Sequence, residues 1–246
     1  MKRLLWSSGL LFLFTAEVLL GQTDTSRQIP GRLEKEIILH VSLKYLLYLP
    51  EGYEKDKKLW PLVLFLHGSG ERGDDLESVK RNGPPMLAGQ GKEFPFILVS
   101  PQCPLGQRWK PLELSVLLDE IQKNYRVDSN RVYVTGLSMG GEGTWMLIMS
   151  EPYRFAAAVV VCGRTGSAYL DACRLQNLPI WVFHGAMDDV VPLDESVRMV
   201  KALKTCGNDV KFTVYPKANH NAWTETYNNE ELYKWLLEHS RDENNK

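Results

Sequence analysis

Short, continuous apolar runs separated by helix-spaced segments constrain the fold of this chain more than any other feature of its sequence. Strands that are apolar throughout are typical of a parallel sheet covered on both faces, because neither face meets water. The predicted strands of this kind are Leu62–Leu66, Phe96–Val99, Val132–Thr135, Ala156–Val161 and Ile180–Phe183, and Val210–Tyr215 follows with an alternating pattern. The predicted helices are Leu112–Tyr125, Gly140–Ser150, Asp194–Thr205 and Asn229–His239. The sequence therefore predicts an α/β fold, with a doubly wound, mostly parallel sheet and helices on both faces.

Three further expectations concern the ends and connections of these elements. Ile37–Val41 and Tyr45–Leu49 are predicted to form a hairpin, and Asp194 is predicted to cap its helix. The connection from Val161 to Pro179 is too short for a helical cap, so we expect no large cap domain and an open cleft. In such sheets a ligand lies beyond the carboxyl ends of the strands, and motifs that carry chemistry are expected there.

The first 21 residues differ in character from the rest of the chain. Lys2 and Arg3 precede an apolar run from Leu4 to Phe14, and polar sequence begins near Gly21. This order is typical of a secretory signal peptide. An uncleaved anchor is the alternative, but the run is shorter than the roughly 20 apolar residues that a membrane span requires. We expect a signal peptide over residues 1–21, a loose leader over 22–35, one large domain over 36–246, and a secreted or periplasmic protein without stable membrane insertion.

The charge balance argues against one class of partner. The formal net charge is -1 at pH 7, and the lysines and arginines are scattered rather than gathered in a basic arm. Such a balance does not favour nucleic acid or an anionic membrane surface as a partner. A neutral or small substrate is expected instead.

The four cysteines, Cys103, Cys162, Cys173 and Cys206, lack the close pairs that are typical of a zinc site. In an oxidising compartment they allow up to two disulfides, with three connectivities. Cys162 directly follows an apolar run and is expected to be a buried side chain.

A glycine-rich turn carries the candidate nucleophile. The segment Gly136-Leu137-Ser138-Met139-Gly140 fits the pattern G-x-S-x-G, after one predicted strand and before one predicted helix. This is the context of a nucleophile elbow. The glycines let strand and helix pass closely, so that the hydroxyl of Ser138 stands out from the sheet on a tight turn.

The candidate base is selected by chain order. A serine hydroxyl needs a neutral imidazole to take its proton and a carboxylate to orient that imidazole, and in this type of sheet the order is Ser, acid, His. His40 and His67 precede the serine, and His67 is expected to shape a glycine turn. His184 ends a strand at a turn, and His239 lies in the last helix. His220, in a polar loop after a strand, is therefore the candidate base.

Two adjacent carboxylates compete for the role of the acid. Asp188 and Asp189 both follow the predicted strand Ile180–Phe183, and only one of them should face the imidazole. A turn or cap role is the ordinary interpretation of either residue. The residues by themselves leave this choice open.

Acyl transfer also requires an oxyanion hole, in which two backbone N–H groups stabilise the charge on the former carbonyl oxygen. One donor is expected from Met139, the residue after the nucleophile, and the other from the loop after an early strand. His67-Gly68-Ser69-Gly70 is that loop. Ser69 is the first candidate for the second donor, and Gly70 is the second.

Four motifs occur in a fixed order along the chain. They are HGSGERG from His67, GLSMGG from Gly136, FHGAMDDVVP from Phe183, and His220 followed by Trp223 and Tyr227. Together they resemble secreted α/β-hydrolase esterases, a group close to feruloyl-esterase-like, dienelactone-hydrolase-like and polyhydroxybutyrate-depolymerase-like enzymes and often labelled predicted peptidases. The resemblance covers roughly residues 36–240. It is specific for fold and mechanism rather than for substrate.

The resemblance also assigns roles. The family pattern H-G-x-x-D-x-V-V-P places the acid at Asp188, whereas Asn219 departs from the glycine that usually precedes the histidine. The resemblance implies an α/β-hydrolase catalytic domain over residues 36–246 that cleaves carboxylic esters through an acyl-enzyme on Ser138, without metal or organic cofactor. The expected substrate is a small-molecule or carbohydrate-linked ester, such as an acyl or feruloyl ester on carbohydrate.

Two points about substrate and class remain open in the sequence. Trp109 and Trp223 lie near the expected cleft and could stack on a sugar or an aromatic acyl group, although core packing is an equal alternative for each. A serine peptidase of the prolyl-oligopeptidase type would use the same residues. A non-catalytic binding protein on the same fold is the third reading, because function belongs to the site and not to the fold.

Overall fold

The structure, a computed structural model, describes residues 29–38, 40–55 and 57–241. It divides into residues 1–39 and residues 40–246. Residues 29–38 carry neither helix nor strand and are exposed. The predicted signal peptide and the first part of the predicted leader lie outside the described residues. Within the described ranges no helix has both the length and the apolar character that crossing a membrane requires.

One sheet of seven strands organises residues 40–241, apart from the undescribed residue 56. The strands are β1 (Tyr45–Tyr48), β2 (Trp60–Leu66), β3 (Ile97–Pro101), β4 (Val127–Leu137), β5 (Ala157–Val161), β6 (Ile180–Gly185) and β7 (Lys211–Tyr215). Their order in space is β1-β3-β2-β4-β5-β6-β7, and every neighbouring pair is parallel except β1 with β3. Strands β2, β3, β5 and β6 are buried along their whole length, as their apolar runs predict.

Helices cover both faces of the sheet. They are α1 (Gly83–Gly89), α2 (Pro111–Asn124), α3 (Met139–Ser150), α4 (Asp194–Thr205), α5 (Trp223–Asn228) and α6 (Glu230–Glu238). The core on one face joins α2, α3 and α4 to the sheet, and the core on the other face joins α1, α5 and α6 to it. Side chains of one strand alternate between the two cores, so that Leu64 of β2 packs in the first and Phe65 in the second. The predicted doubly wound architecture is confirmed.

The predicted hairpin is not formed. Residues 37, 38, 40 and 41 carry no strand, and β1 pairs antiparallel with β3, Tyr45 opposite Pro101 and Tyr48 opposite Leu98. An apolar run such as Ile37–Val41 indicates only that a segment can extend, because a strand also needs a partner edge, which is a tertiary property.

The cap of α4 differs from prediction, whereas the closing helix agrees with it. Asp194 is the first residue of α4 instead of its cap, and Leu193 precedes it without a side-chain hydrogen bond. The predicted closing helix Asn229–His239 is confirmed to within one residue at each end as α6, and the side chain of Asn229 caps it by accepting a hydrogen bond from the N–H of Glu231.

The cysteines divide into one disulfide and two buried thiols. Cys173 and Cys206 are bonded, which ties the short 3-10 stretch Ala168–Leu175 to the end of α4. Cys103 and Cys162 are free and buried, so the expectation for Cys162 is confirmed. The connection after β5 contains only this 3-10 stretch before β6 begins, which agrees with the predicted lack of a large cap.

Candidate active site

Ser138 occupies a strained turn between β4 and α3. Its backbone has φ 52° and ψ -116°, and it is one of two non-glycine residues with positive φ in the described chain. Residues other than glycine rarely adopt this backbone conformation, so the surrounding contacts must hold it. Glycine is required on both sides, because a Cβ on Gly136 would collide with the backbone of Gly140 and one on Gly140 would collide with the carbonyl oxygen of Leu66. The close crossing of strand and helix therefore sets the position of the serine hydroxyl.

The structure brings Ser138, His220 and Asp188 together although they lie on three different connections. The Ser138 Oγ stands 2.8 Å from His220 Nε2, and His220 Nδ1 stands 2.7 Å from Asp188 Oδ2. In the arrangement that satisfies both contacts, the hydroxyl donates to Nε2 and the Nδ1–H donates to the carboxylate. These residues follow β4, β7 and β6, whose carboxyl ends meet at one edge of the sheet.

Asp188, rather than Asp189, faces the imidazole. The side chain of Asp188 is fully buried, and its Oδ1 accepts hydrogen bonds from the N–H groups of Val190 and Val191, at 2.9 and 2.8 Å. Burial alone would raise the pKa of Asp188, but the hydrogen bonds from His220 and from these two N–H groups outweigh it and hold the pKa below its ordinary value. Asp189 is exposed. The group opposite the imidazole is therefore an ionised carboxylate at neutral pH.

His184 completes the surroundings of that carboxylate, a role that the sequence did not reveal. Its Nδ1 lies 2.8 Å from Ser196 Oγ, and its Nε2 lies 2.9 Å from the carbonyl oxygen of Val191 and 3.2 Å from Asp188 Oδ2. The hydroxyl of Ser196 can donate to Nδ1, which leaves the proton on Nε2 and directs it to Asp188. Burial lowers the pKa of His184, so the ring is neutral. The position of His184 in the sequence, at the end of a predicted strand, had indicated only a turn residue.

The two predicted oxyanion donors are each the first residue of a helical turn. Met139 begins α3, and Ser69 begins the 3-10 turn Ser69–Glu71, so neither N–H has a partner inside its own helix. The two turns are adjacent, because a Cβ on Gly68 would lie 3.7 Å from the Cβ of Ser138. His67 fixes the loop as expected: its Nδ1–H donates to the Gly68 carbonyl at 2.6 Å, and its Nε2 accepts from a backbone N–H at 3.0 Å.

An amide links the oxyanion loop to the histidine loop. Asn82 donates from Nδ2 to Glu71 Oε1 at 2.5 Å and accepts from Trp223 Nε1 at 3.0 Å. Trp223 in turn packs edge-on against His220, with ring centroids 5.2 Å apart. Glu71 is 5% exposed and lies in the loop that presents Ser69. Asn82 thus holds the two sides of the site at a fixed separation, and no local sequence pattern pointed to it.

The two tryptophans have different outcomes. Trp223 is half-buried beside His220, where it can border a cleft. The structure does not bring Trp109 to the site: it is 3% exposed, donates to the carbonyl oxygen of His67 at 3.1 Å and fills the space over Gly143. The expected cleft position of Trp109 is thus corrected to a packing role, because the absent side chain of Gly143 leaves a hollow that an indole ring fills.

Cys162 is a third group beside the histidine. Its Sγ lies 3.4 Å from the carbonyl oxygen of His220, and its sulfur and the ligand atoms of Asp188 and His220 lie within 4.8 Å of one another. Burial raises the pKa of Cys162 to about 12, so the thiol is protonated. Asp188 and His220 are hydrogen-bonded to each other, and the thiol packs against the backbone of the histidine loop.

Comparison with known proteins agrees with this site. The sequence profile of the Dienelactone hydrolase family matches residues 112–240, a little over half of the chain. A bifunctional acetylxylan esterase/xylanase from Neocallimastix patriciarum is 29% identical over 53% of this chain and 20% of its own length. A probable feruloyl esterase C from Aspergillus terreus is 26% identical over 63% of this chain and 58% of its own length.

The solved structure of a thermostable esterase is also similar. It is 34% identical, with a TM-score of 0.68, over 80% of this chain and 59% of that one. The chain thus spans about a fifth to three fifths of the length of these relatives. The matched segment of the family profile includes all three residues of the hydrogen-bonded chain. This chain belongs to the dienelactone hydrolase family.

Proposed function

We propose that this protein is a serine hydrolase that cleaves carboxylic esters through an acyl-enzyme on Ser138. The observation that carries the proposal is the continuous chain of hydrogen bonds from the Ser138 hydroxyl through His220 to the buried carboxylate of Asp188. The His220 imidazole, 2.8 Å from the hydroxyl oxygen, is placed to act as general base toward the hydroxyl. The similarity of sequence and structure to proteins that are named as esterases supports the same class.

In the acylation step, His220 takes the proton of Ser138 while the serine oxygen bonds to the ester carbonyl carbon. The N–H groups of Met139 and Ser69 stabilise the oxyanion, and each such donor contributes about 3 kcal/mol to transition-state stabilisation. The protonated imidazole is paired with Asp188. It then gives its proton to the leaving alkoxide as the carbon–oxygen bond breaks, which releases the alcohol and leaves the acyl group on the serine.

Deacylation repeats these steps with water as the nucleophile. His220 removes a proton from water as the oxygen attacks the acyl carbon, and then returns a proton to the Ser138 oxygen as the acid leaves. Each proton that moves passes between His220 and the oxygen of Ser138, of the leaving alcohol or of water. The cycle uses these side chains, the two backbone N–H groups and water.

The substrate is proposed to be an acyl or feruloyl ester, either small or attached to carbohydrate. Trp223 beside His220 offers an aromatic edge to a sugar or a phenolic acyl group. The short connection after β5 supports an open cleft that admits bulky carriers. The disulfide between Cys173 and Cys206 supports an oxidising compartment, in line with a secreted or periplasmic location.

Hydrolysis of a p-nitrophenyl ester tests the proposal. Ser138→Ala should lose about 10⁶-fold in kcat, because the nucleophile and its base act as a unit. Ser167→Ala, at an exposed serine whose side chain caps nothing, is the matched control and should retain full activity. An acyl-peptide p-nitroanilide assayed alongside separates esterase from peptidase: cleavage of the anilide alone would contradict the proposed class. A panel of acetyl, feruloyl and longer acyl esters then identifies the acyl group.

A further inference from the structure

A concave region lies at the opposite edge of the sheet, where the strands begin. It has a volume of about 450 Å³, which is within the range of small-molecule sites. Six polar or aromatic residues line it: Asn130, Tyr153, Arg174, Gln176, Asn177 and Arg241. Neighbouring Phe155 and Leu178, at the starts of β5 and β6, form its floor. Nothing in the proposed ester chemistry uses this region.

The electrostatic character of this cavity is positive. No Asp or Glu is among the residues that line it. Arg174 is exposed and forms no ion pair with any residue of the described chain. Arg241 donates to the Tyr153 carbonyl and to Asn130 Oδ1, at 3.0 and 3.3 Å. The Nε of Arg241 is buried without a hydrogen-bond partner. Among the described residues neither guanidinium group is paired with a carboxylate, and an anion in the cavity could pair with them.

The cavity continues into a groove in both directions. A concavity of about 460 Å³ shares Tyr153 and Arg174 with it, and another of about 380 Å³ shares Gln176 and Asn177 and extends to Trp235. Carboxylates enter only at the two ends: Glu151, which is paired with Arg154, and Asp209. Tyr153 is 80% exposed. The groove therefore offers aromatic surface, amides and cations in sequence along an extended path.

We propose that this groove, centred on Tyr153 and Arg174, binds an oligosaccharide chain that carries carboxylate groups. Amide side chains match sugar hydroxyls as donors and acceptors, exposed aromatic rings stack on sugar faces, and guanidinium groups pair with carboxylates in a bidentate fork. Over the whole groove three cations have no carboxylate partner among the described residues: Arg174, Arg241 and Lys211. Three charges along this path match a sparsely charged chain better than a nucleic acid, which carries a phosphate at every residue. The identity of the carrier rests on the proposed function, namely ester cleavage on carbohydrate.

The groove and Ser138 lie at opposite ends of the same strands. Strands of five or six residues separate them by about 20 Å, so the groove cannot contact the reacting atoms. Its contribution would be to hold a polymeric carrier and raise the local concentration of its esters, as a second binding site does. Hydrolysis of a small soluble ester should therefore be independent of the groove.

Affinity electrophoresis of the Ser138→Ala protein tests the proposal, because binding is then measured without turnover. The full chain is run in gels that contain glucuronoxylan, neutral arabinoxylan or no polymer. Arg174→Gln and Tyr153→Ala change groove residues, whereas Lys123→Gln removes an equal charge from the exposed surface of α2. Both groove residues are exposed, so folding should be unaffected, and thermal unfolding checks this.

Glucuronoxylan should retard the protein, and each groove variant should weaken its binding about tenfold, whereas Lys123→Gln should not. In protein that keeps the native Ser138, the same changes should leave the rate of p-nitrophenyl ester hydrolysis within about twofold of the wild-type rate. Equal retardation of all variants, or equal retardation by arabinoxylan, would overturn the proposal, as would stronger binding to a DNA oligonucleotide. A protein that binds glucuronoxylan but hydrolyses no ester would instead contradict the proposed function alone.

Discussion

The two sides of Ser138 are held by different kinds of contact. On the acid side, Asp188 is bonded to N–H groups two and three residues away and lies beside His184, four residues before it. On the oxyanion side, Asn82 and Trp223 are 141 residues apart in the chain. The backbone contacts of Asp188 on the acid side thus come from the connection after one strand, whereas the link on the oxyanion side exists only when distant segments have packed. Changes on the acid side should affect proton transfer, and changes on the oxyanion side should affect positioning.

Asparagine substitutions at the two adjacent acids give the largest expected contrast. Asp188→Asn should lower kcat by about 10⁴-fold, because an amide no longer favours the productive tautomer of His220. Asp189→Asn is the matched control and should be close to wild type, since its side chain is exposed. Steady-state hydrolysis of a p-nitrophenyl ester measures both. The reverse order of effects would assign the acid to Asp189.

Substitutions at His184 test whether its hydrogen bond to Asp188 assists proton transfer. His184→Leu removes a donor from Asp188, and loss of a hydrogen bond to a charged group should lower kcat by about 10- to 100-fold. The carboxylate charge is then less dispersed and favours protonated imidazole, so the acidic limb of the kcat/KM profile should move to higher pH. His184→Gln places an amide donor at this position and should restore part of kcat and part of the original pH profile. A loss of activity with an unmoved limb would reduce His184 to a packing role.

Changes at Asn82 address the oxyanion side. Asn82→Ala should lower kcat by about tenfold with little change in KM, because the loop that presents the Ser69 N–H loses its link to Trp223. Trp223→Phe removes the same hydrogen bond and keeps a ring beside His220. A double-mutant cycle should give less than additive losses, since both changes break one contact. Additive losses with an altered KM would show that the two residues act separately.

The smallest expected effect is on stability. Burial lowers the pKa of both His67 and His184, so each binds fewer protons folded than unfolded below the ordinary histidine pKa of about 6.5. Stability from these groups is present above that value and is lost as pH falls toward the folded pKa, by up to about 1.4 kcal/mol per histidine per pH unit. Urea unfolding at pH 7.5 and 5.5 measures this change. Equal stability at both values would contradict neutral burial of the two rings.

Much of the fold and the three central residues could be predicted because their signals are local. The apolar runs that became β2, β5 and β6 are buried on both faces, and burial of that kind leaves a continuous pattern in the sequence. The serine turn is similar, since the close crossing of backbone requires glycine at positions 136 and 140. Chain order then selected His220, and the family resemblance selected Asp188.

The remainder depends on which distant segments meet. In the sequence Asn82 is typical of an ordinary turn residue, and its role depends on its hydrogen bond with Trp223. Trp109 is typical of a loop aromatic, and its role depends on the hollow over Gly143. His184 was recognised as the end of a strand, but its contact with Asp188 depends on Ser196 from α4. The pairing of Cys173 with Cys206 was one of three connectivities that spacing allowed.

Covalent labelling with a fluorophosphonate tests the central claim most directly. The probe phosphonylates a serine only when a neighbouring base activates its hydroxyl. Mass spectrometry of the wild-type protein should place one adduct on the peptide that contains Ser138, while Ser138→Ala takes up none and His220→Ala reacts far more slowly. An unlabelled wild-type protein, or an adduct on any other residue, would contradict the account.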